Sequence, residues 1–272
     1  MNARTYHVAV GAFDMLLVKD GSGGSRPLAD LVEIIPADLV GRDIFMEGGL
    51  MVVDLPNRRL LIDTGNGPAR GPRTHTAEAA FAAQGIRPES IDWILLTHGD
   101  PDHVAGLLDE RGDLIYPRAE IVLSTELWNA FHSDPGAGLY FPGQEAFFRR
   151  LLSQIENRSI RFEGECEIAP GIRAVPAPGH RVGHTAYRFE SDGQILYHLG
   201  DAAFDPLFLE RPELVIGQEF RPTEASASRL ALAHRTSRDA AWVVGSHFDV
   251  ANVGKLRESS RAGWFVWEPH AR

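Results

Sequence analysis

Residues 97–103 read Thr-His-Gly-Asp-Pro-Asp-His and follow the apolar run Ile-Asp-Trp-Ile-Leu-Leu. The apolar run predicts a buried strand that ends where the polar stretch begins. Gly99 and Pro101 alternate with four side chains that carry metal-binding atoms, as is usual in a tight loop. The alternative, an acidic surface turn with two incidental histidines, does not explain why a strand leads directly into it. The stretch therefore predicts a loop that turns its imidazoles and carboxylates inward around a cation. The four residues are His98, Asp100, Asp102 and His103.

Three more polar residues stand directly after predicted strands further along the chain. His180 lies in the turn Ala-Pro-Gly-His, and Asp201 ends the Leu-Gly-Asp that follows an apolar strand. His247 closes the sequence Val-Val-Gly-Ser-His. Each feature is weak alone, because a short motif matches by chance in many sequences. Four such features in this order predict that separate strand ends converge on one metal site.

Hydrophobic periodicity predicts an alternation of strands and helices that recurs in outline in each half of the chain. Two mixed sheets packed on each other, with helices outside, satisfy this order. The segment 19–26 is rich in Gly and Ser and predicts a loop, and residues 28–46 predict a loop that covers part of the molecule. The predicted strands are 6–18 with a turn near Phe13 and Asp14, 50–54, 59–62, 91–97, 119–123, 159–162, 172–175, 185–190, 194–199, 241–244 and 264–267. The predicted helices are 76–84, 104–108, 125–132, 144–157 and 224–239.

Composition limits the classes of partner. The net charge is −10, with 37 acidic against 27 basic residues, which argues against extended nucleic-acid binding. The single cysteine, Cys166, excludes an intrachain disulfide and a thiolate metal cluster. The first residues lack the apolar run of a signal peptide, and no stretch approaches the roughly 20 apolar residues that span a bilayer. We therefore expect a cytoplasmic protein without a membrane partner.

These residues resemble the metallo-β-lactamase superfamily, whose signature is His-x-His-x-Asp-His, then Pro-Gly-His, then Gly-Asp and a final His. The resemblance runs from Leu-Ile-Asp-Thr-Gly at residues 61–65 to His247. It implies one α/β domain over residues 1–272, a four-layer αββα sandwich of two mixed sheets with the site at one edge. It also implies a metal-dependent hydrolase in which a metal-bound hydroxide attacks an ester-type bond.

The resemblance assigns a role to each matching residue of this chain. Asp102 and Asp201 are the residues that we expect to be catalytic. Asp63 resembles an acid that orients a ligand, and His184 matches a structural position; neither is expected to bind metal directly. The implied ligands are His98, Asp100 and His180 for one divalent ion, Asp102, His103 and His247 for a second, and Asp201 as a bridge between them.

Asp100 departs from the signature, which has a histidine there. An ionised Asp100 adds one negative charge against two divalent ions, so that a bound water should be harder to deprotonate. The added oxygen ligand favours manganese or iron, although zinc also accepts carboxylates. The same variant motif resembles a domain of bacterial DNA-uptake channels, which raises a phosphodiesterase or nuclease alternative. The net charge and the lack of membrane segments argue against that alternative.

The best resemblance within the superfamily is to acyl-homoserine lactonases and organophosphate hydrolases. It rests on Asp-Pro-Asp-His-Val-Ala-Gly-Leu at residues 100–107 and Gly-Ser-His-Phe at 245–248. It implies a small-molecule substrate, a lactone or a related carboxylic or phosphoric ester, and leaves a homodimer open. The loops at 19–46 and 133–143 would set the substrate, but their sequences do not reveal it.

Phe204 is a second departure, because several such lactonases carry a tyrosine three residues after the bridging Asp. Phenylalanine cannot donate a hydrogen bond to a substrate carbonyl. Tyr187 or Tyr197 could replace it, or each could be a core aromatic. Together with Asp100, Phe204 also motivates an alternative function, a metal-binding protein of this fold that has lost catalysis. The aromatic residues that could line an apolar pocket, or simply pack in the core, are Trp128, Phe131, Tyr140 and Phe141.

Overall fold

The computed structural model describes residues 5–68, 76–133 and 145–270. The described strands are β1 Thr5–Val10, β2 Phe13–Pro27, β3 Asp43–Leu55, β4 Arg58–Ile62, β5 Trp93–Leu95, β6 Glu120–Ser124, β7 Ser159–Phe162, β8 Cys166–Ala169, β9 Ile172–Pro176, β10 Thr185–Ser191, β11 Gln194–His198, β12 Trp242–Val244, β13 Gly254–Glu258 and β14 Phe265–Pro269. The described α-helices are α1 Ala77–Ala83, α2 Pro101–Val104, α3 Thr125–Ser133, α4 Glu145–Ile155, α5 Leu207–Glu210 and α6 Pro222–Arg238.

The described strands form two seven-stranded mixed sheets. The first has the order β1-β2-β3-β4-β5-β6-β7, and the second has the order β14-β13-β12-β11-β10-β9-β8. The pairs from β1–β2 to β3–β4 are antiparallel, whereas the pairs from β4–β5 to β6–β7 are parallel. In the second sheet β11 and β12 are parallel and the other pairs are antiparallel. This arrangement confirms the prediction of two mixed sheets.

Three apolar clusters separate four layers. Side chains such as Met15 and Val53 of the first sheet meet Phe189 and Leu196 of the second sheet between the two sheets. The opposite face of the first sheet packs against α1, α3 and α4, and the opposite face of the second sheet packs against α5 and α6. The order helix, sheet, sheet, helix is the predicted αββα sandwich.

Parallel pairing explains why the polar strand ends meet. Strand β5 is apolar and lies between β4 and β6, both parallel to it, so both of its faces are buried. The carboxyl ends of β4 and β5 therefore lie side by side at one edge of the first sheet. The parallel pair β11 and β12 does the same in the second sheet. The loops that follow these four strands share one edge of the sandwich.

The Gly/Ser loop predicted at 19–26 is wrong, because β2 continues through it to Pro27. The strand pairs with β3 as far as Asp43 and contains a bulge between Asp20 and Gly24. Glycine is tolerated at bulges, where the backbone departs from regular pairing. The two strands thus form a long hairpin arm that reaches past the sheet.

Other differences concern short elements. The helix predicted at 104–108 instead begins at Pro101, which occupies a favoured first position, and residues 105–107 are a 3₁₀ turn. Strands β8 and β13 and helix α5 were not predicted, and each has only four or five residues. The predicted loop at 133–143 lies, apart from its first residue, outside the described residues.

None of the described helices combines the length and the apolarity that crossing a bilayer requires. The assignment of residues 1–272 to one domain stays a prediction.

Candidate metal centre

The seven predicted ligands lie together at the shared edge of the two sheets. The loop after β5 supplies four of them, the turn between β9 and β10 supplies His180, and the ends of β11 and β12 lead to Asp201 and His247. Ligand atoms within each of three overlapping groups lie within 4.8 Å of one another. The groups are His98, Asp100 and His180; His98, His103 and Asp201; and Asp102, His103 and His247.

Asp201 lies between the two sets of side chains. Its Oδ2 is 3.5 Å from His180 Nε2 and 3.0 Å from His247 Nε2. Its Oδ1 is 3.4 Å from His103 Nε2. One carboxylate thus reaches imidazoles on both sides, which is the position that a bridging ligand requires.

Several donor atoms of this group are buried without a hydrogen-bond partner. They include Nε2 of His98 and of His103, both ring nitrogens of His180, and Oδ1 of Asp201. A buried polar atom without a partner is costly and rare in folded proteins. Imidazole nitrogens and carboxylate oxygens are the usual ligands of zinc, manganese and iron. The donor set therefore fits a pair of divalent cations.

Hydrogen bonds at Nδ1 orient three histidines so that each Nε2 points toward Asp201. His103 Nδ1 donates to Asp63 Oδ2 at 2.7 Å, and His247 Nδ1 donates to the Glu47 carbonyl at 3.0 Å. Thr97 donates its hydroxyl to Asp63 and can accept from His98 Nδ1 at 3.0 Å. Such outer contacts fix the ring tautomer and its orientation. Asp63 accordingly lies where an acid that orients a ligand is expected.

His184 has no nitrogen left for a metal. Its Nδ1 donates to the Ala177 carbonyl at 3.1 Å, and its Nε2 accepts from the Asp201 amide at 3.0 Å. Burial, together with the neighbouring His98 imidazole, lowers the pKa of His184 to about 3. The ring is therefore neutral and positions the backbone of Asp201, as the predicted structural role requires.

Electrostatics couple Asp201 to His247. Burial alone would raise the pKa of Asp201, but the charges of His247 and His103 hold it well below its usual range. Burial would lower the pKa of His247, yet attraction to Asp201 raises it to about 9. The metal-free chain therefore carries a proton on His247 at neutral pH, which a cation must displace.

Arg181 is a site residue that the sequence reasoning missed. Its Nε donates to Asp100 Oδ1 at 2.8 Å, and its Nη1 donates to the carbonyls of His180 and Gln218. Burial would raise the pKa of Asp100, but His98, His180 and Arg181 together lower it. The only signal in the sequence was a basic residue next to a predicted ligand. The negative charge that Asp100 adds to the site is thus opposed by the positive charge of a buried guanidinium. A sum of the charges of the ligands and the metal ions does not include this guanidinium.

A cavity of about 400 Å³ opens above the cluster. Asp100, Asp102, His180, Asp201 and His247 form its floor. Its walls come from β2 and β3, from the segment that connects them, from the turn after β4 and from the segments after β11 and before α6. The wall residues include Ser25, Arg26, Leu31, Met46, Asn66, Phe204 and Gln218. Leu31 and Met46 support the expectation that residues 28–46 cover part of the molecule. The segment is not a loop throughout, because residues 43–46 belong to β3 and residues 28–30 and 37–39 form 3₁₀ turns.

The aromatic residues divide between cavity and core. Phe204 lines the cavity, with its ring edge-on to His180 and His247. Trp128 and Phe131 belong to the cluster beneath the first sheet, so for these two the core alternative holds. Tyr140 and Phe141 lie outside the described residues.

Neither candidate tyrosine replaces the donor that Phe204 lacks. The Tyr187 hydroxyl donates to the Leu96 carbonyl between the sheets, and that of Tyr197 donates to Asp239 on the far face of the second sheet. Both are core aromatics, which is the second of the two alternatives that the sequence left open for each tyrosine.

Comparisons with known proteins place this chain in a family. A sequence profile of the metallo-beta-lactamase superfamily matches residues 50–247, which is more than half of the chain. The chain belongs to the metallo-β-lactamase superfamily. It is 25% identical to a protein named as a probable metallo-hydrolase in Mycobacterium tuberculosis, with 73% of each sequence covered, and equally to one from Mycobacterium bovis.

Solved structures share the fold over almost the whole chain. AidC, described as a dizinc quorum-quenching lactonase in complex with its product, has a TM-score of 0.86 at 19% identity, with 98% of each chain covered. A hydrolase named AbOPH, of the beta lactamase superfamily, has a TM-score of 0.84 at 21% identity, with 100% of this chain and 99% of that chain covered. At these identities the likeness shows the fold.

Proposed function

We propose that the chain is a metal-dependent hydrolase that cleaves an ester-type bond in a small molecule, a lactone or a related carboxylic or phosphoric ester. The observation that carries the proposal is the group of buried, unpartnered donor atoms at the floor of an open cavity. The family and the lactonase with the same fold support the choice of reaction.

We assign a role to each side chain from its position in the cluster. A pair of bound divalent cations would supply Lewis acidity and lower the pKa of a water molecule. His98, Asp100 and His180 would hold one cation, Asp102, His103 and His247 the other, and Asp201 would contact both. The Asp102 side chain is 30% exposed and faces the cavity, whereas that of Asp201 is 4% exposed. Asp102 is therefore the carboxylate that is best placed to hold or move a proton beside the substrate.

The cavity suits a small ligand. Its volume lies within the range of about 300–1,000 Å³ that is usual for small-molecule sites. Leu31, Met46 and Phe204 offer an apolar wall, while Asn66 and Gln218 offer amides. Because Phe204 donates no hydrogen bond, polarisation of a substrate carbonyl would fall to the cations.

The test combines metal analysis with a substrate panel. The purified protein would be stripped, reloaded separately with zinc, manganese and iron, and assayed on lactones, aryl esters and phosphoesters. We expect Asp102→Asn and His247→Ala to lower kcat/KM by at least about a hundredfold, because ligands matter more than their outer contacts. His234→Ala is the matched control, since this exposed histidine pairs with Glu258 on the surface. Turnover like that of the wild type in both site variants would refute the proposal.

The panel also separates the alternatives. Turnover confined to phosphodiesters would favour the phosphodiesterase alternative. Bound metal without turnover of any class would favour a metal-binding protein that has lost catalysis.

A further inference from the structure

Asp100 and Arg181 form a buried ion pair inside the candidate metal centre. Arg181 Nε lies 2.8 Å from Asp100 Oδ1, and the two side chains are 5% and 8% exposed. Asp100 follows a strand of the first sheet, and Arg181 lies in the turn between two strands of the second. The pair therefore joins the two halves of the sandwich at the floor of the cavity.

The two oxygens of Asp100 have different surroundings. Oδ1 accepts the hydrogen bond from Arg181, whereas Oδ2 lies 3.7 Å from His98 Nε2 and 3.8 Å from His180 Nε2. Only Oδ2 thus faces the imidazole nitrogens of the same group. With Oδ1 engaged, the carboxylate offers one donor atom in a fixed direction, as each of its imidazole neighbours does.

Backbone contacts hold the guanidinium in place. Arg181 Nη1 donates to the His180 carbonyl at 2.7 Å and to the Gln218 carbonyl at 2.9 Å. Arg181 is thus tied to two neighbouring residues of the group, Asp100 and His180, and to the cavity wall at Gln218. A planar guanidinium with several fixed bonds orients a carboxylate better than an ammonium can.

We propose that Arg181 is a positioning residue that makes Asp100 act as a neutral, single-atom ligand. The guanidinium balances the carboxylate charge and turns Oδ2 toward the cation. The pair then contributes no net charge, like the imidazoles beside it. This inference rests on the proposed metal site, but not on any particular substrate.

The proposal predicts that the two residues are coupled in metal binding. In Asp100→His the guanidinium loses its anion and stays buried beside a cation, so the affinity should fall. Removing the charge as well, in Asp100→His/Arg181→Gln, should recover most of that loss. In the wild-type background, Arg181→Gln should weaken metal binding by about 10- to 100-fold, the usual cost of losing an outer contact. The same substitution therefore has opposite effects in the two backgrounds.

The measurement is metal affinity by calorimetry against a competing chelator, followed by visible spectra of the cobalt-loaded proteins. Circular dichroism confirms that each variant is folded, and Arg181→Met, which also removes the charge, serves if Arg181→Gln does not fold. Arg188→Gln is the matched control, because Arg188 is also partly buried and ion-paired but lies on β10 away from the cavity. It should change neither affinity nor spectrum.

The outcomes separate this inference from the proposed function. Opposite effects of Arg181→Gln in the two backgrounds, with a changed cobalt spectrum in the wild-type background, would support the pair. Arg181→Lys, which keeps the charge, should not recover the affinity that Asp100→His loses. Equal effects in both backgrounds would overturn the inference while leaving the metal site intact. A wild-type protein that binds no metal would refute the site itself.

Discussion

Three of the four histidines of the cluster, His98, His103 and His247, are held by a hydrogen bond at Nδ1. His247 shows most clearly how such a contact orients a ring for a cation. Its Nδ1 is held by the Glu47 carbonyl, and its Nε2 lies 3.0 Å from Asp201 Oδ2. The side chain of Glu47 is in turn buried, paired with Lys19 and bonded to the Val250 amide. The ring is therefore fixed before a metal arrives, but in the metal-free chain Nε2 carries a proton.

That proton predicts a pH dependence of metal binding. Since Asp201 raises the pKa of His247 to about 9, the ring is protonated below that pH and a cation must displace the proton. Metal affinity should therefore rise as the pH increases from 7 to 9. Calorimetry in buffers of different ionisation enthalpy should detect proton release on binding at pH 7. His247→Ala should release fewer protons, and an affinity independent of pH over this interval would contradict the assignment.

At the residue scale, the sequence predicted the seven polar residues that the structure brings together, because each directly follows a strand. It did not predict Arg181, Glu47 or Lys19. Their roles depend on contacts between segments that lie far apart in the chain, such as Arg181 with Asp100 and His247 with Glu47. No local spacing marks such contacts.

Among the elements, the turn after β4 contacts the short helix α2 and the 3₁₀ turn that follows it. Thr64 of the first turn lies close to the backbone of Gly106 in the 3₁₀ turn. Thr64 donates both its amide and its hydroxyl to the His103 carbonyl. A Cβ on Gly106 would lie 1.9 Å from the Thr64 carbonyl oxygen, so only glycine fits without a backbone shift.

Gly106→Ala should therefore separate the turn from the helix and displace His103. We expect a loss of about 1–3 kcal/mol in the free energy of unfolding, typical of overpacking, and weaker metal binding. Urea unfolding measures the first effect and calorimetry the second. Gly24→Ala is the control, because a Cβ there would meet no atom within 4 Å. Equal stability of the two variants would argue against this account of the turn.

Helix α6 supports the segments on either side of α5 through a fully buried arginine. Arg229 donates to the Ala202 carbonyl, to the Leu214 carbonyl and to Glu219 Oε1, and its side chain is 0% exposed. Ala202 directly follows Asp201, so this helix side chain helps to hold a candidate ligand loop.

Arg229→Met should destabilise the fold by about 3–5 kcal/mol, because it leaves the buried Glu219 carboxylate unpaired. Arg229→Met/Glu219→Gln should lose less, because no buried charge then remains. Arg221→Gln, which breaks an exposed pair with Glu224, should cost at most about 1 kcal/mol. Urea unfolding compares the three, and a double variant no more stable than Arg229→Met would exclude the unpaired charge as the cause.

The elements that were predicted well include those with strong apolar patterns, such as β5 and α4. The Gly/Ser segment at 19–26 was misread because its extended form depends on pairing with β3. Strands β8 and β13 are short and pair near the margins of the second sheet, so their own residues carry little periodicity. Tertiary pairing, rather than local propensity, determines such elements.

For the whole molecule, the ligands are shared between the two sheets. His98, Asp100, Asp102 and His103 follow a strand of the first sheet, whereas His180, Asp201 and His247 follow strands of the second. A cation held by both groups would therefore link the two halves of the sandwich, and metal binding should stabilise the fold.

Chelation should consequently lower the unfolding temperature. A metal present at about 100 to 1,000 times its Kd stabilises the folded state by about 3–4 kcal/mol. For a chain of this size that corresponds to roughly 5–15 °C in Tm. Differential scanning calorimetry before and after dialysis against a chelator measures the change, and restored metal should reverse it. His234→Ala should show the same shift, whereas an unchanged Tm of the wild type would contradict the linking role.

The central claim is that seven side chains from separate strand ends hold two divalent cations. Anomalous diffraction from crystals grown with manganese or zinc tests it most directly. The account predicts two anomalous peaks within this cluster, with Asp201 in contact with both. Well-ordered crystals with ample metal that show no peak among these side chains would contradict it.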